Sequence, residues 1–505
     1  LLEENAPMSS APVRRHPSRL ARRLRHGAAA ALLLTGLVHA PAWAIDDFFP
    51  TFGNLGIDVR HYALRLDVKG KARELAGRAA IDITATRRLA KFSLDLSNLT
   101  VTKVTIDGVA ARFVQTPGKL TITPAAAIAK GERFTATIVY GGVPATIPDP
   151  TADDPSSLPG LGWSKYQGTS YVVSEPVGAG TWYPVNDEPT DKATYRFTVI
   201  VDEPLVAVAN GVPVSVTDLG TRRRYLWEQR QPMASYLAIT DVDAYRLERR
   251  TSRSGVPIRN YLTDDTPADS VAALRQTSAM MSFIEDLIGP YPFDGYGAVM
   301  VDDPNLFYAL ETQAMSTFQS SFVDELTVMH ELAHQWFGNA VTVAQWRDLW
   351  LAEGFATYFE FLWEYRGDQV GFDQAMGRLH AFVVQEGVGP AVVSRPQDLF
   401  ALNTYYRGAL TLEALRLTVG DAKFKRILRA WYRTYRNKNA TSQDFIDLAA
   451  GIGGPSVRPV LRAWLYEQPV PPLPGSTIAL SAPEGSTATV AAPQLGIGVR
   501  RPPVP

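Results

Sequence analysis

The sequence predicts a multidomain α+β protein: an all-β amino-terminal domain, then a mainly helical domain around a metal site, with no large helical domain after it. Three observations carry this. From Gly56 to about Tyr245, apolar residues alternate with polar ones at period two, between turn signals. From Phe322 onward the apolar spacing is helical. Near the head of that stretch stands His330-Glu331-Leu332-Ala333-His334, followed after eighteen residues by Glu353.

Composition narrows the class. A chain of 505 residues holds two or three domains. Its net charge of −1 gives no basic excess to attract nucleic acid or an anionic membrane. Without cysteine there is neither a disulfide nor thiol chemistry.

Residues 1–44 read as a leader. Met8 is the expected start, Arg14 to Arg25 is basic, and Ala28 to Val38 is apolar but too short for a stable membrane span. Ala42-Trp43-Ala44 has the small-x-small form of a cleavage site. The expected mature protein begins near Ile45 and is exported, to the periplasm or the medium. The paired arginines leave the general and twin-arginine export routes both open.

Residues 45–245 form the expected β domain. Tyr62, Leu64, Leu66 and Val68 share one face of a strand, as do Ile81, Ile83 and Ala85. Leu120 with Ile122, and Phe134, Ala136, Ile138 and Tyr140, mark two more. Lys69-Gly70, Asp107-Gly108, Pro117-Gly118, Lys130-Gly131 and Gly141-Gly142 punctuate them. Pro148 to Gly162 reads as a loop, and the pattern changes around Thr240 to Ser254.

Residues 246–470 form the expected catalytic domain. Val271 to Ile288 is helical, Gly297 to Asp302 is a short strand, and Tyr308 to Phe318 suits another. The metal helix follows, then a helix that Glu353 opens, Gly354 to Tyr365. Further helices are expected at Gly371 to Gln385, Gly408 to Val419, Lys423 to Arg436, Gln443 to Ala450 and Pro459 to Glu467, with Thr441 and Ser442 placed to cap the fourth of these. Residues 471–505 are a Pro-, Ala- and Gly-rich tail.

The chemistry starts from spacing. At 3.6 residues per turn, His330 and His334 sit nearly above one another and aim at one point. Two imidazoles do not complete a catalytic zinc site, and Glu353 is the candidate third ligand, leaving one position for water. Glu331 lies beside the ligands and is free to serve as general base. The combination describes amide hydrolysis. Of seven histidines, His16, His26 and His39 lie in the leader and two of the other four fall on this motif. His61 and His380 read as structural.

The stretches His330 to Asn339 (HELAHQWFGN) and Asp348 to Ala356 (DLWLAEGFA) resemble the aminopeptidase N family of zinc exopeptidases, the gluzincin group that includes leukotriene hydrolase. Trp182 to Thr194 (WYPVNDEPTDKAT) and Asp58 to Tyr62 (DVRHY) are similar to further family segments, and the likeness runs from Asp58 to Pro474. The resemblance implies a saddle-like β domain, a thermolysin-like catalytic domain, one zinc ion per chain, and peptides with a free amino terminus as substrates. It places Glu311, in Tyr308-Ala309-Leu310-Glu311-Thr312, on the substrate's ammonium. Ala309 and Leu310 would bind the substrate backbone by strand addition. Tyr308 and Thr312 depart from the family's Gly and Asn, which bears on substrate preference. Glu175, before Pro176, matches a second amine-binding carboxylate. Tyr405, in Tyr405-Tyr406-Arg407-Gly408-Ala409, matches an oxyanion donor, with Tyr406 beside it and Arg407 where the family has Lys. Glu360 matches a second-shell partner of a ligand histidine. Many family members add a large helical domain, and the short stretch after Pro474 implies a more open cleft.

The leading reading is an exported zinc aminopeptidase. A zinc endopeptidase or a leukotriene-hydrolase-like enzyme is the alternative, and a catalytically inactive peptide-binding protein is the alternative of another class. Oligomeric state is not encoded in any feature of the sequence.

Overall fold

A computed structural model describes residues 46–475, except 71–72, 155–158 and 322. The leader and most of the tail lie outside the described residues. The first half is built of sheets. Eight strands run in the order Val212–Asp218, Arg222–Met233, Ala193–Asp202, Ile57–Lys69, Glu74–Ala85, Arg133–Gly142, Thr100–Ile106 and Val109–Ala110. Ile57–Lys69 pairs parallel with Ala193–Asp202 and antiparallel with Glu74–Ala85. The alternation has its expected cause: Tyr62, Leu64, Leu66 and Val68 are all buried, and Ile81 and Ile83 join them opposite Ala136 and Phe134. A three-stranded sheet (Phe92–Asp95, Lys119–Thr123, Arg112–Thr116) and a four-stranded one (Val206–Ala209, Thr240–Asp243, Thr169–Val173, Gly162–Tyr166) complete this half.

The second half opens with a four-stranded sheet that the sequence reading only partly foresees. Arg246–Thr251, Pro257–Leu262, Tyr296–Val301 and Ser316–Gln319 lie side by side in that order. Arg246–Thr251 is an edge strand, so its charges stay in water on both faces. Pro257–Leu262 is buried on both faces after its first residue, so it shows no alternation. The expected helix from Val271 to Ile288 is two helices, Ala268–Leu274 and Thr277–Leu287. Thr277 donates its hydroxyl to the carbonyl of Leu274 at the break.

The expected strand from Tyr308 to Phe318 shrinks to Ser316–Gln319. Upstream only Leu310 pairs with it, through a single bridge to Thr317. Residues 312–315 make a turn instead, with Ala314 at φ 64°.

Helices follow at Glu325–Ala333, Trp350–Glu364, Gln369–Gln385, Gly408–Val419, Asp421–Tyr435, Ser442–Gly453 and Val457–Tyr466. The second begins three residues before Glu353, which sits in its first turn. Thr441 caps Ser442–Gly453 in a reciprocal capping box with Asp444. Among the described residues no large helical domain follows, and no helix is long and apolar enough to cross a membrane.

Polar contacts, buried or partly buried, join the halves. Lys192 donates to the carbonyl of Asn339 (2.8 Å) and the hydroxyl of Thr342 (2.8 Å). Asp46 accepts the amide of Trp346 at 2.7 Å, and Asn210 donates to the carbonyl of Gln313 at 2.9 Å.

The helix carrying Glu353 packs on Gly408–Val419 through glycine. A Cβ on Gly354 would lie 2.7 Å from the backbone of Gly408. Gly354→Ala is therefore expected to cost about 1–3 kcal/mol through overpacking. Gly377→Ala, on the exposed face of Gln369–Gln385 with nothing within 4 Å, should gain roughly 0.4–1 kcal/mol. Urea denaturation of the two variants checks the contrast.

Candidate metal centre

The helix Glu325–Ala333 begins at Asp324, whose carboxylate accepts the amide of Thr327 at 2.7 Å. One turn apart, His330 and His334 lie with ring centres 4.6 Å from each other. Glu353 reaches both from the neighbouring helix: its Oε2 is 3.1 Å from Nε2 of His330 and 3.3 Å from Nε2 of His334. All three side chains are buried.

The rear nitrogens are already committed. Nδ1 of His334 faces the carbonyl of Phe337 at 3.1 Å, and a carbonyl only accepts, so Nδ1 carries the proton. Nδ1 of His330 meets Oε1 of Glu360 at 2.5 Å. Both Nε2 atoms are thereby turned toward one shared point. Glu360 is fully buried, two turns along the helix from Glu353, so the two carboxylates take the two nitrogens of one ring. Gly338 (φ 123°) closes the turn beneath His334, where a Cβ would come within 3.2 Å of Nδ1.

This donor set fits a zinc ion. A tetrahedral centre with bonds near 2.0–2.1 Å separates its donors by roughly 3.3 Å, close to the spacings of Glu353 to the two imidazoles. The charges agree. Burial alone would push His330 down, yet its hydrogen bonds to Glu353 and Glu360 hold it well above the usual imidazole range. Burial would raise Glu353, but His334 and the hydrogen bonds from both rings carry it below the carboxylate range. Such mutual stabilisation marks a place where positive charge belongs.

Glu331 follows His330 in the same helix and is buried. Burial pushes its carboxyl up, against the pull of both histidines, and Glu311 and Glu353 raise it further. Its Oε2 is buried and has no hydrogen-bond partner among the described residues. Glu311, Glu331 and His334 form a second cluster, with one donor atom of each within 4.8 Å of the others. The structure thus gathers Glu311 with the base candidate and a ligand. The expectation that Ala309 and Leu310 form a strand edge is met only at Leu310.

Tyr405 and Tyr406 separate. Both occupy a π-helical turn, Asn403–Arg407. The ring of Tyr405 lies 6.1 Å from that of His330, whereas Tyr406 packs edge-on against Phe382. Arg407 points away from the centre and is fully buried. Its guanidinium donates to the carbonyls of Trp464 (2.8 Å), Ala463 (3.2 Å), Val388 (3.2 Å) and Glu467, gripping the last turn of Val457–Tyr466.

Glu175 is buried just past the strand Thr169–Val173 and belongs to neither donor cluster. Tyr308 packs with Tyr171, Val173, Val301, Leu306 and Leu310 in a small apolar cluster of its own. Thr312 donates to the carbonyl of Met315 and lies 3.1 Å from Oγ1 of Thr317. His61 contacts Thr194 and His380 contacts the carbonyl of Pro471, both away from the centre.

Sequence reasoning gave no role to two residues inside its own best motif. Nδ2 of Asn339 donates to the carbonyl of Glu311 at 2.6 Å, and Nε2 of Gln335 donates to the same oxygen at 3.0 Å. Their only signal was the presence of amides in an otherwise apolar, aromatic stretch.

Comparisons with known proteins bear on this geometry. A family model described as the peptidase family M1 domain matches residues 272–464, and one described as the peptidase M1 N-terminal domain matches 59–237. Glutamyl aminopeptidase of Sus scrofa is 29% identical over 339 residues, covering 59% of this chain and 34% of that protein. The Homo sapiens glutamyl aminopeptidase is 28% identical over 338 residues, with the same coverage. The chain thus spans about a third of the length of these curated relatives. An M1 zinc metallopeptidase from Deinococcus radiodurans superposes with a TM-score of 0.79 at 32% identity, over 86% of this chain and 99% of that one. A mutant of a two-domain M1 zinc metallopeptidase bound to L-tryptophan gives a TM-score of 0.79 at 31% identity, over 85% and 99%. A mutant from Deinococcus radiodurans bound to a Tyr-Ser-Ala substrate gives 0.78 at 32%, over 85% and 98%.

The arrangement around His330 generates a test. Glu360→Gln keeps the side chain's shape but removes its charge, and is expected to weaken zinc binding about 10–100-fold. Competition with a chelator of known affinity measures the loss.

Proposed function

Because this chain belongs to the M1 family of zinc metallopeptidases, we propose that it is a zinc-dependent aminopeptidase that removes single residues from the amino termini of peptides. One observation carries the step from metallopeptidase to aminopeptidase. The carboxylate of Glu311 lies within 4.8 Å of both Glu331 and His334. In a peptide, the terminal nitrogen and the first carbonyl carbon are about 2.5 Å apart, and each further residue adds about 3.3–3.6 Å. An ammonium held at Glu311 therefore brings the first peptide bond, and no later one, to the base and the metal ligands.

Zinc held by His330, His334 and Glu353 supplies Lewis acidity toward water and the scissile carbonyl. The chain's own residues do the rest. Glu331 takes a proton from the attacking water and passes it to the leaving amine. The hydroxyl of Tyr405 donates to the oxygen that gains charge as the carbonyl carbon becomes tetrahedral. Glu360 and the carbonyl of Phe337 keep the two imidazoles turned toward the shared point. Glu175 joins Glu311 at the ammonium in this reading. The leader-like residues 1–44 support export, and amino-terminal sequencing of secreted protein should begin near Ile45.

Three outcomes are expected. Glu331→Gln abolishes turnover while zinc remains at one per chain by elemental analysis. Tyr405→Phe lowers kcat by about 10²–10³, with KM little changed. An aminoacyl peptide is cleaved and its N-acetylated form is not, and chelation stops the reaction. Equal cleavage of the free and acetylated peptides would identify an endopeptidase instead.

A further inference from the structure

We infer that Gln335 and Asn339 are positioning residues that set the distance between the amine anchor and the metal centre. The inference rests on the reading of Glu311 as that anchor.

Little regular structure holds Glu311. It follows a single-residue bridge and precedes a turn containing a left-handed alanine. Its carbonyl nevertheless accepts two hydrogen bonds, from Nδ2 of Asn339 (2.6 Å) and Nε2 of Gln335 (3.0 Å). Gln335 also accepts the amide of Ala314 through Oε1 at 2.8 Å. One amide side chain therefore clasps both ends of the 311–314 turn. Both residues are wholly buried, so no water competes for these bonds.

Both amides come from the segment that supplies the two histidines and the base candidate. Gln335 follows His334 directly and stands one turn beyond Glu331. The backbone amide of Asn339 bonds to the carbonyl of His334 at 3.0 Å. Lys192 fixes the far side of Asn339 by donating to its carbonyl at 2.8 Å. The anchor's main chain is thus pinned to the metal helix through side chains alone. A sub-ångström change there moves the substrate amine relative to the reacting bond, and a displacement of about 1 Å can cost 10²-fold in rate.

Asn339→Asp and Gln335→Glu keep shape and remove the donors. Asn339→Ser and Gln335→Met serve in their place if the acidic variants do not fold. The readout uses two inhibitors on the zinc-loaded enzyme. Acetohydroxamate engages the metal without an amine, whereas leucine hydroxamate adds the ammonium. The variants should bind acetohydroxamate as the parent does and hold one zinc per chain. Their preference for leucine hydroxamate over acetohydroxamate should fall about 10–100-fold, and KM for leucine p-nitroanilide should rise with it. Retention of the full preference in variants at both positions overturns the inference. A parent enzyme that shows no preference overturns the reading of Glu311 itself, a separate failure. Loss of acetohydroxamate binding assigns the amides to the metal site in general and also overturns the proposal.

Discussion

Four buried carboxylates, on Glu311, Glu331, Glu353 and Glu360, cluster about two histidines. Removing that much negative charge from water is costly unless opposite charge meets it. Two imidazoles answer part of it, and a divalent cation between them answers more. The rest of the architecture can be read as the support for this arrangement. The Trp350–Glu364 helix presents two acids to one ring, the glycine contact at Gly408 sets how closely that helix docks, and the neighbouring helices exclude solvent behind it.

The surplus charge also separates roles among like groups. Glu353 and Glu360 are bound to histidine and held in place. Glu331 has a carboxylate oxygen with no such engagement, and burial raises its proton affinity. Glu353 goes the other way: burial would raise it, but His334 and the hydrogen bonds from both rings hold it below the carboxylate range. Identical side chains thus diverge by surroundings rather than by chemistry.

Much of this was legible in the residues. The four-residue step from His330 to His334 and the seven-residue step from Glu353 to Glu360 translate directly into shared helical faces. The strands of the first half announce themselves by alternation, and of Thr441 and Ser442, both placed to cap a helix, Thr441 does so while Ser442 is the first helical residue. Other features left no linear trace. Arg246–Thr251 is too exposed and Pro257–Leu262 too buried to alternate, because pattern depends on having one wet face. The break at Arg275 and Gln276 has neither glycine nor proline to mark it. The turn at 312–315 forms because amides some twenty residues later take its hydrogen bonds, a tertiary effect that local propensity does not encode. Tyr405 and Tyr406 were adjacent letters until a π-turn sent them to different neighbours.

Arg407 extends this dependence to the chain's last described helix. A guanidinium offers a planar fork of donors, and here four carbonyls from two separate places, the end of Val457–Tyr466 and Val388, fill it. The residue two positions earlier, Tyr405, lies with its ring 6.1 Å from that of His330. The helix Val457–Tyr466 is therefore tied through one side chain to the turn that carries Tyr405, so a cut near residue 460 would reach that turn as well as its own helix.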